Sequence, residues 1–339
     1  MSISKIPVYL ITGFLGSGKT TVLTDIVKYY KQKGLNAGVV LNELGEVNVE
    51  KDLFQDDAPM IELLNGCICC TIQDDLTNEL DQFIQMYKRD NNQLDVLLIE
   101  GTGVANPAEV IEALTHPQLI NDVEIKSVIS LIDASRFLEY QSIFSSSKDI
   151  RTVLKQQVTN STLTILNKVD LVDQNKLKKV KKKITEISNS AELVEASYGK
   201  AGIDVLLKER MKTTSMHLKE EYKHSCCDGP EHEQHEGCSH KHEHDHPHLF
   251  QAIKFDGISV IDRIMLEKWL KQLPDTVVRA KGIVQLTETP RPFQFQYASG
   301  QLHLSKIQQD KKIDPCIIII GHGLEVEKLR ESFEESVNN

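Results

Sequence analysis

Across the first 210 residues, short runs of Val, Ile and Leu alternate with stretches in which apolar positions return every three or four residues. The runs Ile6–Thr12, Ala37–Asn42, Met60–Leu64, Leu94–Glu100, Ile125–Ile132, Thr162–Asn167 and Glu192–Ala196 are apolar on both alternating sets of positions. Strands covered by helices on both faces have that composition. Between the first two runs, Leu23, Ile26, Val27 and Tyr30 fall at i, i+3, i+4 and i+7 and form one apolar stripe, which predicts a helix. The alternation of strand and helix predicts an α/β fold built on a mostly parallel sheet.

From Lys212 to His248 the pattern stops: apolar residues nearly vanish, and nine of the chain's twelve histidines gather there. Such a stretch cannot bury a core and reads as a linker. Beyond it, Leu249–Gly257, Val277–Leu286, Phe293–Tyr297, Gln301–Ser305 and Cys316–Ile320 resume strand patterns. A helix capped by Asp262 and another from Leu324 accompany them. The expected organisation is therefore a first domain over residues 1–211, a His- and Cys-rich linker over 212–248 and a small α+β domain over 249–339.

The 339 residues suffice for two self-supporting cores at roughly 150 residues per domain. A formal charge of −10 makes a poor generic nucleic-acid binder, which needs a basic footprint. The lysine-rich stretch Lys176–Lys183 does not alter this, because Leu177, Val180, Ile184 and Ile187 share one face and leave the lysines on the solvated side. No apolar run approaches the ~18 residues of a membrane span, and the N-terminal apolar stretch lacks a signal-peptide cleavage pattern. A cytoplasmic protein is expected, with self-association left open.

Gly13-Phe14-Leu15-Gly16-Ser17-Gly18-Lys19-Thr20 satisfies G-x-x-x-x-G-K-[ST] between a predicted strand and an amphipathic helix, the context that distinguishes a phosphate-binding loop from a chance match. Gly13, Gly16 and Gly18 let the backbone wrap phosphates, and the amides from Ser17 onward face the anionic oxygens. Lys19 supplies positive charge to the β and γ phosphates, the Thr20 hydroxyl is a ligand for Mg²⁺, and Thr21 is counted with the nucleotide-binding residues. Asn167-Lys168-Val169-Asp170 has the N-K-x-D form in which an Asp accepts from the two N–H groups on guanine's pairing edge, which adenine lacks. GTP is thus preferred over ATP. Glu100 ends an apolar strand where a metal-coordinating, catalytic acid belongs, and Gly103 brings a backbone amide close to the γ-phosphate.

Gly66-Cys67-Ile68-Cys69-Cys70 presents three thiols within four residues, just before a predicted helix. In a chain without an export signal, this spacing favours a soft cation such as Zn²⁺ held by Cys67, Cys69 and Cys70 over a disulfide. His240 to His248 alternates histidine with other residues, a composition suited to weak binding of several metal ions. His116, His303 and His322 stand alone and are read as structural residues.

With its phosphate loop, the segment Asn42-Glu43-Leu44-Gly45-Glu46, the GCICC thiols, Glu100-Gly101-Thr102-Gly103 and NKVD in that order, the chain resembles the CobW-type, zinc-regulated metallochaperone GTPases over nearly its whole length. Arg279-Ala280-Lys281-Gly282, after Trp269, fits the family's second domain. The resemblance implies a P-loop GTPase domain followed by the α+β domain. It also implies GTP with Mg²⁺ as nucleotide and cofactor, Zn²⁺ at the cysteine triplet, and delivery of the metal to a client metalloprotein. Glu43 and Glu46 fall where relatives place acids near the metal or Mg²⁺. Cobalt or iron as cargo, and a zinc buffer with weak GTPase activity, stay open as alternatives.

Overall fold

Strand β1 (Ile6–Gly13) is buried along nearly its whole length and forms the middle of a parallel sheet. In the computed structural model, residues 5–42, 60–63, 72–89, 94–103, 106–217, 250–298, 300–307 and 314–338 are described. They divide into two units, Met1–Thr213 with Phe250–Ala252, and Thr214–Leu249 with Ile253–Asn339. The first unit carries β1, α1 (Lys19–Gln32), β2 (Ala37–Asn42), β3 (Met60–Leu63), α2 (Ile72–Arg89), β4 (Val96–Glu100) and α3 (Pro107–Leu114). Then follow β5 (Val123–Asp133), α4 (Phe137–Gln141), α5 (Lys148–Thr159), β6 (Leu163–Asn167), α6 (Gln174–Ile187), β7 (Glu192–Glu195) and α7 (Ile203–Leu206).

Among the described residues the sheet order is β3-β2-β4-β1-β5-β6-β7, and its neighbouring strands pair in parallel. Alternate residues explain the two helical layers. Ile129, Leu131, Leu163 and Ile165 face a core with Val22, Leu23, Ile26 and Val27 of α1, while Ile132 and Leu166 face Val158, Leu177, Val180 and Ile184 of α5 and α6. The α/β expectation is met, including the buried Leu177, Val180 and Ile184 beneath the lysines of α6. From β1 the chain builds β2, β3 and β4 on one side and then crosses to build β5, β6 and β7 on the other, and the carboxyl ends of β1, β4, β5 and β6 open on one edge, where ligands bind in such sheets.

The second unit contains the part of β9 (Phe250–Asp256) from Ile253 onward, α8 (Arg263–Lys271), β10 (Val277–Gln285), β11 (Pro292–Ala298), β12 (Gln301–Lys306), β13 (Cys316–His322) and α9 (Val326–Asn338). Its sheet runs β12-β11-β10-β13-β9-β8, where β8 is Met211–His217. β10 is antiparallel to both β11 and β13, as an α+β domain requires. Trp269 is fully buried, 4.8 Å from Phe333 between ring centres, and its Nε1 donates to Ser332 Oγ at 3.2 Å. Asp262 caps α8 by accepting from the backbone amides of Ile264 and Met265, as its sequence position suggested.

Element ends shift by a residue or two from the sequence reading, and two differences bear on the fold and the site. Strand β8 forms from Met211–His217, where the low apolar content predicts no element, because strand pairing satisfies its backbone without a deep apolar face. Strand β5 runs on to Asp133, one residue beyond the apolar run that marks it, and that residue proves to belong to the site.

Candidate nucleotide site

The loop after β1 turns on three glycines with positive φ, Gly13 at 142°, Gly16 at 70° and Gly18 at 106°. Gly13 and Gly18 are required twice over. A Cβ on Gly13 would come within 2.4 Å of the Leu131 carbonyl oxygen, and one on Gly18 within 2.6 Å of Asn167 Nδ2. Gly18 is the N-cap of α1, where no side chain caps the helix and no acid stands in the first turn. Free amides at a helix start that lacks its own acid favour an anion.

Lys19 and Glu100 are both buried and face one another, with Lys19 Nζ 3.9 Å from Glu100 Oε1. Thr20 Oγ1 donates to the same carboxylate oxygen at 3.4 Å. A buried ammonium, a hydroxyl and a carboxylate therefore meet at the carboxyl ends of β1 and β4, whose register sets Ile11 beside Glu100. The hydroxyl and carboxylate are hard oxygen donors on adjacent elements, which suits Mg²⁺. The buried hydroxyl oxygens of Thr12, Ser17 and Thr102 have no hydrogen-bond partner among the described residues, the condition expected around a polar ligand site. The residues present therefore fit a nucleotide phosphate with its Mg²⁺.

Gly103 packs against the phosphate loop. A Cβ there would lie 2.9 Å from the Leu15 amide nitrogen and 2.7 Å from the Leu15 side chain. Gln157 of α5, itself buried, donates from Nε2 to the Gly103 carbonyl at 3.2 Å.

Asn167, at the end of β6, ties the phosphate side to the base side. Its Nδ2 donates to the Ser17 carbonyl at 2.8 Å, and its Oδ1 accepts from the Gly199 amide at 2.9 Å. Gly199 follows β7 with φ 74°, and a Cβ there would lie 3.3 Å from Thr21 Cγ2, so Thr21 flanks this second loop. Lys168 is left-handed, with φ 60° and ψ 36°, and its Nζ donates to Asp133 Oδ2 at 2.7 Å. Asp170 follows in the 3-10 turn Val169–Leu171 and is exposed. Burial pushes the Asp133 carboxyl up, but hydrogen bonds from the Lys168 ammonium and from the Ser135 hydroxyl and amide outweigh it and hold the group below its ordinary value.

The structure thus brings together Gly13, Gly16, Ser17, Gly18, Lys19, Thr20, Thr21, Glu100, Gly103, Asn167 and Lys168, with Asp170 at the following turn. Cys67, Cys69, Cys70, Glu43, Glu46 and the histidine-rich stretch lie outside the described residues. Asp133, Gln157 and Gly199 were missed. A strand-end carboxylate was a signal that could have found Asp133. Nothing in the local sequence marks Gln157, a polar residue on a helix.

Comparison with known proteins places these elements in context. The pattern of the CobW/HypB/UreG nucleotide-binding domain matches residues 7–195, and that of the cobalamin synthesis protein CobW C-terminal domain matches 250–337. The zinc chaperone YjiA of Escherichia coli is 29% identical over 342 residues, covering 97% of this chain and 98% of the relative. A zinc-regulated GTPase metalloprotein activator of Schizosaccharomyces pombe is 30% identical over 207 residues, 59% of this chain and 47% of the relative. The crystal structure of Zn(II)-bound YjiA aligns with a TM-score of 0.45 at 22% identity, covering 98% of this chain and 99% of that one.

Proposed function

The chain belongs to the CobW/HypB/UreG family and is a P-loop GTPase, and from that premise we propose that it is a cytoplasmic metallochaperone that couples GTP hydrolysis to the transfer of Zn²⁺ from Cys67, Cys69 and Cys70 to a client metalloprotein. The observation that carries the nucleotide half is the joining of Lys19, Thr20 and Glu100 to the N-K-x-D turn through Asn167. Support for the metal half comes from the thiol triplet itself and from the zinc chaperone activity named for the relatives.

In this reading the amides at the start of α1 and the Lys19 ammonium bind the β and γ phosphates, and Asp170 selects guanine. Thr20 and Glu100 would hold Mg²⁺, with Glu43 and Glu46 the further acids proposed for a metal. Mg²⁺, when bound, neutralises charge on the phosphate oxygens. Glu100 lies at the start of the segment that ends at Gly103, against the phosphate loop, so gain or loss of the third phosphate bears on that segment. α3 starts just beyond it and packs against α2, which begins immediately after the cysteine triplet. The packing of α2 on α3 supports a proposed route by which phosphate and thiolates would sense one another.

A GTPase assay with zinc titration tests the proposal, comparing wild type with the variant carrying Cys67→Ser, Cys69→Ser and Cys70→Ser. The variant is expected to lose tight zinc binding and keep its GTP affinity. In the wild type, Zn²⁺ affinity is expected to differ between a GTP analogue and GDP by about 5- to 150-fold, a coupling of about 1–3 kcal/mol. Equal zinc affinity in the two states would remove the coupling and leave a zinc buffer with a GTPase attached.

A further inference from the structure

Lys168 holds a backbone conformation that a side-chain-bearing residue adopts at a cost and keeps only where its surroundings dictate it. Its flanks are pinned, since the Ala134 amide donates to the Asn167 carbonyl at 2.9 Å and the Val169 amide to the Ala196 carbonyl at 3.3 Å. Its ammonium donates to the buried carboxylate of Asp133. Asp133 is itself fixed. Its other oxygen accepts from the Ser135 amide at 2.9 Å and the Ser135 hydroxyl at 2.5 Å, and its backbone lies in register with Asn167 across β5 and β6. The Lys168 carbonyl then accepts from the Leu171 amide at 3.1 Å, closing the turn that carries Asp170.

We propose that Asp133 is a positioning residue for base recognition: by anchoring Lys168 Nζ it holds the left-handed turn that aims Asp170 at the pairing edge of guanine. Asp133 touches no nucleotide atom in this account and acts through Lys168. The inference rests on the reading of Asn167–Asp170 as the guanine-selecting turn. A carboxylate at the end of β5 thus becomes part of specificity, although it lies 35 positions from the residue it holds.

The test measures GDP and IDP affinities for the full-length wild type, Asp133→Asn, Lys168→Met and the double variant. Inosine keeps the N1–H of guanine and lacks the 2-amino group, so the GDP-to-IDP ratio reports how well Asp170 is aimed. Asp133→Asn is expected to weaken GDP about tenfold and to lower the GDP-to-IDP ratio about fivefold or more, because inosine leaves an acceptor aimed at the 2-amino group unpaired and that discrimination is lost when the aim is lost. Lys168→Met is expected to lower the ratio similarly, and the double variant to cost no more than either single change. Equal weakening of GDP and IDP in Asp133→Asn would mark a purely structural role and overturn the proposal. Additive losses in the double variant would do the same. If Asp133→Asn does not fold, an unchanged ratio in Lys168→Met overturns it alone. Failure of the wild type to prefer GDP over ADP would instead strike the guanine reading on which this inference stands.

Discussion

Gly103 shows how much a single hydrogen atom in place of a methyl decides at this site. With a Cβ 2.9 Å from the Leu15 amide, Gly103→Ala must push the Glu100–Gly103 segment off the phosphate loop. If that segment is the catalytic one proposed, displacing it by about 1 Å costs on the order of 100-fold in rate. Single-turnover GTP hydrolysis is expected to fall by about that factor while GDP affinity changes far less, and equal losses in both would contradict the expectation. Asp133 makes a different residue-scale prediction, in acid. Its folded carboxyl lies below its ordinary value, so its contribution to stability is fully present above the unfolded value and is lost as pH falls through the folded one. Urea midpoints measured from neutral to acidic pH should therefore fall less steeply for Asp133→Asn than for wild type. Only the first was legible in the sequence: the glycine sits in a recognisable E-G-T-G, whereas the carboxylate of Asp133 gained meaning only when Lys168 met it.

At the scale of elements, local patterning accounts for most of what folded as expected. The stripe on α1, the Asp262 cap of α8 and the apolar face of α6 each follow from spacing of three and four residues, which a sequence displays directly. β8 was not legible, because its Thr- and Ser-bearing sequence acquires its strand form from pairing in a sheet, a partner set far along the chain. The second unit's helices meet through Trp269 and Phe333, whose rings are close to perpendicular at 72°. Since Phe333 is nearly fully buried, Phe333→Ala should cost about 3–5 kcal/mol. Trp269 is the chain's only tryptophan, so its fluorescence during urea unfolding reads that loss in this unit directly. A shift smaller than about 1 kcal/mol would show that the pair is not a principal part of the core.

For the molecule as a whole, the two chemistries are distributed differently along the chain. The proposed nucleotide-binding residues come from the ends of several strands, whereas the proposed thiol ligands lie within four residues of one another. The histidine-rich stretch is proposed to add a third, looser capacity. Replacing its nine histidines with asparagine is expected to lower the number of weakly bound zinc ions per chain, measured by equilibrium dialysis, while the tight thiol-dependent site and GTP affinity persist. Loss of the tight site in that variant would show that histidines complete the coordination of the cysteine triplet.

The amino-acid sequence alone determined whatever depends on neighbours within a few residues. The phosphate loop was readable because its glycines, lysine and threonine form one contiguous cradle whose backbone angles only glycine adopts freely. The helix stripes and the strand runs were readable for the same reason, since their periods are short. Tertiary structure decided the contacts that make these parts one site. Asn167 reaches Ser17 across 150 positions, Gln157 reaches Gly103 across 54, and Lys168 reaches Asp133 across 35. No local pattern encodes such pairings: the order of strands in the parallel sheet brings their carboxyl ends to a common edge, and only there do the hydrogen bonds acquire their partners.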